Sequence, residues 1–229
     1  MADEALLAPG RSRVRVSTTS GRITVIGERR DDIVVTTGGR TTAAPVTDEV
    51  DVVMTASSDR VEVRCPVGTD VVVGTASGKV ELEGHLGEAR VTTASGSIQV
   101  DTVASADLRT QSAKVEVEEC LGSCRVMNKS GRVEIHRAGE VLVKNVSGAV
   151  DVSGDDVNVR TVSGKVRIET YVTAAVETVS GGVEVWVPEG FRPEVHSHGL
   201  GRVTVDVPQG TDGEILVRTV SGSVRVRSR

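Results

Sequence analysis

One corner, repeated along the chain, limits what this sequence can fold into more than any other feature. The unit reads Val-x-Val-x-Thr-x-Ser-Gly-x-Val-x-Val. Clear copies carry the pairs Ser77-Gly78, Ser95-Gly96, Ser130-Gly131, Ser147-Gly148, Ser163-Gly164, Ser180-Gly181 and Ser221-Gly222, with another at Ser20. Ser112 heads a variant with Ala113 in place of glycine, and weaker copies fall at Gly38, near Ser58 and near Leu200. Successive anchors lie 16 to 21 residues apart. A fixed period of this length marks a repeat architecture, in which no unit buries its apolar face alone.

Counting from the serine as zero, apolar residues recur at minus six, minus four, plus three and plus five. Around Ser163 these are Val157, Val159, Val166 and Ile168; around Ser147 they are Val141, Val143, Val150 and Val152. The residues between them are polar, such as Asn158, Arg160, Lys165 and Arg167. Period-two alternation is the mark of a strand with one dry and one wet face. Each coil therefore supplies two short strands joined by a Ser-Gly corner. Stacking like on like, about 4.8 Å apart, lines the valines into interior columns and pairs the backbone of each coil on both sides. The expected fold is all-β: a single-domain parallel β-helix, or β-solenoid, of about 11–12 coils of roughly 18 residues. Right-handed winding is expected from the general handedness of parallel crossovers. Residues 1–10 read as an N-terminal tail and 11–229 as the solenoid.

Composition agrees. The 229 residues are 38% hydrophobic, mostly valine, and hold three aromatic residues, Tyr171, Trp186 and Phe191. Valine suits strands and a narrow core; a wide globular core would use more Leu and Phe. The glycine at plus one is expected in a backbone conformation closed to residues with a Cβ. Position minus two is Thr or Asn (Thr18, Thr75, Thr93, Thr110, Asn128, Asn145, Thr161, Thr178, Thr219), which predicts a polar ladder along the corner. Position minus one (Ala76, Ala94, Val146, Val162, Val179, Val220) reads as packing around it. Three longer coils contain Pro66-Val-Gly68, Pro188-Glu-Gly190 and Pro208-Gln-Gly210, read as wider turns. Arg11, Arg13 and Arg15 open the chain and Arg225, Arg227 and Arg229 close it. Like charge at both ends would oppose head-to-tail polymerisation of exposed strand edges.

Several function classes lose support. Net charge is -5 with both signs interspersed, so no basic face exists for nucleic acid. The start lacks a basic and apolar leader, and no run is long enough to span a bilayer, so the chain reads as cytoplasmic as written. Cys65, Cys120 and Cys124 are odd in number and read as reduced structural thiols. Asp101, Asp107, Asp151, Asp155 and Asp156 are the carboxylates a carbohydrate-active β-helix would use, and they read as solvated turn residues. His196 and His198 offer two metal ligands with no third in view. No catalytic, cofactor or metal site is assigned. The contact surface is placed at Trp186, beside Pro188-Glu-Gly190, with Phe191 and Tyr171, because aromatic residues are enriched at interfaces.

The stretches Thr161-Val-Ser-Gly-Lys-Val-Arg-Ile168 and Val183-Glu-Val-Trp-Val-Pro-Glu-Gly190 resemble the bacterial adhesin-like β-strand-repeat family, a domain of unknown function. The likeness runs from about Val14 to Val226. It implies a parallel β-helix, a bacterial source, envelope association and no catalytic residues. The expected function is a non-enzymatic scaffold or adhesin-like module that binds a protein or glycan or forms a homo-oligomer. The alternatives are a carbohydrate-active β-helix enzyme and an intracellular envelope-stress accessory domain.

Overall fold

The computed structural model describes residues 12–45, 51–56 and 60–229, so the tail assigned to residues 1–10 lies outside it. Its strands are β1 (Arg13–Glu28), β2 (Asp32–Thr37), β3 (Arg40–Pro45), β4 (Asp51–Ala56), β5 (Val61–Pro66), β6 (Asp70–Ser130), β7 (Val133–Ile135), β8 (Ala138–Val187), β9 (Glu194–Gly199), β10 (Arg202–Asp206) and β11 (Glu214–Ser228). All belong to one 11-stranded sheet, and β6 and β8 each wind through several coils without a break. The fold is an all-β parallel solenoid.

The repeat stacks in register. Ser20 lies beside Ser77, Ser130 beside Ser147, and Ser180 beside Ser221. The glycines form one column, because a Cβ added at Gly148, Gly164, Gly181 or Gly222 would strike the carbonyl oxygen of Gly131, Gly148, Gly164 or Gly181 respectively. Inside the bend the columns are dry: Val157, Val159, Val166 and Ile168 are buried, as are their counterparts in neighbouring coils. Serine hydroxyls reach down the stack. Ser147 Oγ donates to the Lys129 carbonyl, Ser163 Oγ to Val146 and Ser221 Oγ to Val179, at 3.4–3.5 Å.

The minus-two residues are buried but do not form the ladder the sequence predicts. Only Thr18 donates to its neighbour, Thr75, at 3.1 Å. Thr93, Thr161, Thr178 and Thr219 donate instead to the serine carbonyl two residues on, at 2.8–3.3 Å. A local acceptor at fixed geometry wins over one in the next coil. Asn128 reaches the Ala113 carbonyl at 3.4 Å, and Asn145 finds no partner for either end of its amide.

At both ends the coils stack out of sequence order. β1 lies between β4–β5 on one side and the first coil of β6 on the other. β11 lies between β8 and the later-stacked β9–β10, which precede it in sequence. The two terminal strands are thus the second rungs from each end, with both edges paired. This corrects the expectation that Arg13 and Arg15, or Arg225, Arg227 and Arg229, blunt exposed ends; Arg11 lies outside the described residues. Arg13 meets Asp70 at 3.9 Å, Arg227 meets Asp206 at 3.7 Å and Arg229 meets Glu169 at 2.9 Å.

The Pro-x-Gly segments sit where the chain changes rungs out of order. Pro66–Thr69 steps over β1, and Pro188–Phe191 steps over β11. In each, the residue after glycine donates its N–H to the proline carbonyl at 3.2 Å, and Gly68 and Gly190 both have φ of 81°. That is the type II turn, which requires positive φ at its third residue. Pro208–Gly210 lies on the return from β10 to β11 and is a looser bend, with Gly210 N–H donating to Pro193. The weak copy at Gly38 is no coil. Gly38 and Gly39, at φ 56° and 76°, turn an antiparallel β2–β3 hairpin. The copy near Ser58 falls on residues outside those described, between β4 and β5.

Candidate contact surface

The three aromatic residues do not form one patch. Trp186 is half-buried beneath the Arg227 guanidinium, 6.0 Å from the ring centre. It lines a hollow of about 560 Å³ with His136, Asp151, Arg167, Glu169 and Arg229. Tyr171 is exposed on the adjoining hollow, about 630 Å³, which shares His136, Glu169 and Arg229, and its hydroxyl donates to Glu169 at 3.2 Å. Phe191 lies apart, packed against the core where it closes the turn after Pro188.

A larger feature runs along the Ser-Gly corner. The minus-one residues are outward, contrary to their reading as packing. Val146, Val162, Val179 and Val220 are 48–60% exposed, and Leu200, beside Val220 through the pairing of β9 with β11, is 92% exposed. These five form an apolar ridge across five successive rungs, on the order of 20 Å long. Strand parity could have found it: minus six, minus four and minus two face inward, so minus one must face out. Leu200 could not be placed that way, because its rung is out of order.

Beside the ridge is a shallow groove. Its two hollows, about 580 Å³ and 530 Å³, both include Lys144 and Asn145. The minus-three residues form its far wall. There Glu177 bridges Arg160 at 3.1 Å and Arg218 at 3.3 Å, one rung to either side, and with Lys144 the wall carries three cations against one carboxylate. The corner is small at Ser147-Gly148-Ala149, Ser180-Gly181-Gly182 and Ser221-Gly222-Ser223, while Lys165 and Arg202 place exposed charge after Gly164 and Gly201.

Four of the five carboxylates singled out from sequence are engaged separately. Asp101 accepts from Gly84 N–H, Asp107 binds Arg109, Asp151 binds Arg167, and Asp156 accepts from Thr173. The Asp155 main-chain carbonyl accepts from Thr170. His196 pairs with Glu194 at 3.1 Å, and His198 lines the groove. Among the described residues, three metal-ligating groups converge only at Glu116, Glu118 and His136. There Glu116 already binds Lys114 at 2.9 Å and the cluster is solvent-facing. The thiols are buried and free. Burial pushes the Cys65 thiol up to about 11, and the neighbouring Cys120 together with burial pushes the Cys124 thiol well above its ordinary value.

Outward Lys–Glu pairs give the face a defined pH response. Lys79 lowers the pKa of Glu81, Lys114 those of Glu116 and Glu134, and Lys165 that of Glu184. A depressed folded-state pKa contributes stability that is present above the ordinary carboxylate value and lost as pH falls through the folded one. The melting temperature should hold steady above about pH 5 and fall below about pH 4.5. Thermal scans across that range check it, and Lys114→Met should make the acid side shallower.

The family model described as Toastrack DUF4097 matches residues 7–227. No curated protein matches. A solved structure titled a "putative cell adhesion protein" from Clostridium sporogenes aligns over 96% of this chain and 94% of its own, at 10% identity and a TM-score of 0.20.

Proposed function

The chain belongs to the Toastrack DUF4097 family, and from that premise we propose that it is a non-enzymatic β-solenoid module that holds a protein partner against its C-terminal corner. The observation that carries this reading is the exposed ridge of Val146, Val162, Val179, Val220 and Leu200. A continuous apolar stripe of this kind is unusual on a surface that meets only water. Its backing is rigid, because each ridge residue sits on a rung bonded to its neighbours and needs little ordering on contact. The absence of aromatic side chains from the lining of the groove favours a protein surface over a sugar.

The test is capture from the native source with three forms of the chain: unaltered, Val179→Asp and Trp186→Ala. A partner retained by the unaltered chain and by Trp186→Ala, but lost with Val179→Asp, supports the ridge. Loss with Trp186→Ala alone would transfer contact to the face of Trp186 and Tyr171. Equal retention by all three would refute the reading.

A further inference from the structure

Among the described residues the valine columns are covered at one end of the stack and open at the other. At the N-terminal end β2 lies antiparallel on β5, the second strand of the outermost parallel rung, with Val35 opposite Val63, and β3 pairs behind β2. Beneath this cover Val61, Val63 and Cys65 are fully buried. At the C-terminal end β10 is the corresponding second strand. Its inner edge pairs with β11, and among the described residues its outer edge has no partner. Val203 and Val205 stand over Val224 and Val226 in the interior columns. Yet Val203 is 39% exposed, where Val224 is 1% and Val226 is 0% exposed.

We propose that a second copy of this chain closes the open end, with β10 laid antiparallel on β10 about a two-fold axis. The residues of β10 are Arg202-Val-Thr-Val-Asp206. Centred on Thr204, antiparallel pairing sets Arg202 opposite Asp206 of the partner subunit, and Asp206 opposite Arg202 of the partner subunit. Val203 and Val205 then meet each other on the interior side, extending the valine columns, and the two Thr204 residues meet at the axis. Opposing residues of an antiparallel pair share a face, and opposite charges and β-branched pairs there are favourable. The molecule already uses this solution at its other end, where β2 plays the covering strand. At the other end the outer edge of β3, likewise without a partner among the described residues, presents the run Arg40-Thr-Thr-Ala-Ala-Pro45 in place of a valine column, so β10 has no matching face there and the assembly closes as a dimer. The face is small, roughly 18 Å by 10 Å, against about 800 Å² per partner in a tight complex. Association is therefore weak, and the dimer is expected at the high end of a concentration series.

Sedimentation of the full chain over a concentration series tests this. The expected result is a monomer–dimer equilibrium without larger species. Arg202→Asp and Asp206→Arg should each weaken it about tenfold or more, since each converts two attractive pairs into two repulsive ones. The double variant Arg202→Asp/Asp206→Arg should recover dimerisation. Thr204→Lys, which brings two lysines together at the axis, should abolish it without touching the ion pairs. Thermal melts confirm that the variants are folded; the Asp206–Arg227 pair that Asp206→Arg also breaks is exposed and contributes little. A chain that stays monomeric throughout overturns the proposal, as does a dimer indifferent to charge reversal or one the double variant does not restore. Val179→Asp should leave the dimer constant unchanged, so this test and that of the ridge fail separately.

Discussion

Gly164→Val is expected to destabilise the chain by about 3 kcal/mol or more, whereas Lys165→Val, one residue on, should cost under about 1 kcal/mol. Gly164 has φ of 136°, in a region that residues with a Cβ rarely enter. The added Cβ would also land on the carbonyl oxygen of Gly148 in the next rung. That atom is backbone, so relief requires shifting a whole rung whose interior is close-packed. Lys165 points outward and meets Glu184 at 3.3 Å, an exposed pair. For a domain of this length the glycine change corresponds to roughly 6–12 °C in melting temperature. A melt within a degree or two of the unaltered chain would remove the corner column from the account of this fold. Because stability in a solenoid is close to a sum of neighbour terms, hydrogen exchange should rise most in the rungs of Ser147, Ser163 and Ser180.

Removing residues 208–229 should unfold two rungs, although it deletes only one. β11 supplies the inner neighbour of β9 and β10 and carries Ile215, Val217, Val224 and Val226, all buried. At about 1.5–3 kcal/mol for each buried aliphatic side chain, the deleted burial is of order 10 kcal/mol. Residues 194–206 are then left without the strand they pair with, and should lose all amide protection. A chain ending at Val187 should consequently be as stable as one ending at Val207. If 194–206 stayed protected in the shorter chain, they would be stacking directly on β8, and the out-of-order arrangement would not be required for the fold.

These two results bear on how much was readable in advance. The corner at Ser163-Gly164, the inward Val157, Val159, Val166 and Ile168, and the parallel stacking all follow from alternation and a fixed period. The type II turns at Pro66 and Pro188 were legible as turns, but not as the steps that carry the chain over a rung. The polar ladder failed because Thr161 has a nearer acceptor in the Ser163 carbonyl. The contact surface was sought in the aromatic residues, of which the fold brings Trp186 and Tyr171 to adjoining hollows and sets Phe191 apart. The valines at minus one were misread although their parity pointed outward.

Local pattern alone determined the coil: where it bends, which side chains it buries and that it stacks on others like itself. It could not determine the order of the coils. Each coil presents nearly the same valine columns and the same corner to a neighbour, so any coil satisfies any other, and the pattern is unchanged if rungs are exchanged. Only the folded chain, with turns long enough to step over β1 and β11 and with β2 and β3 to cover one end, decided which rungs lie outermost and which edge is left open.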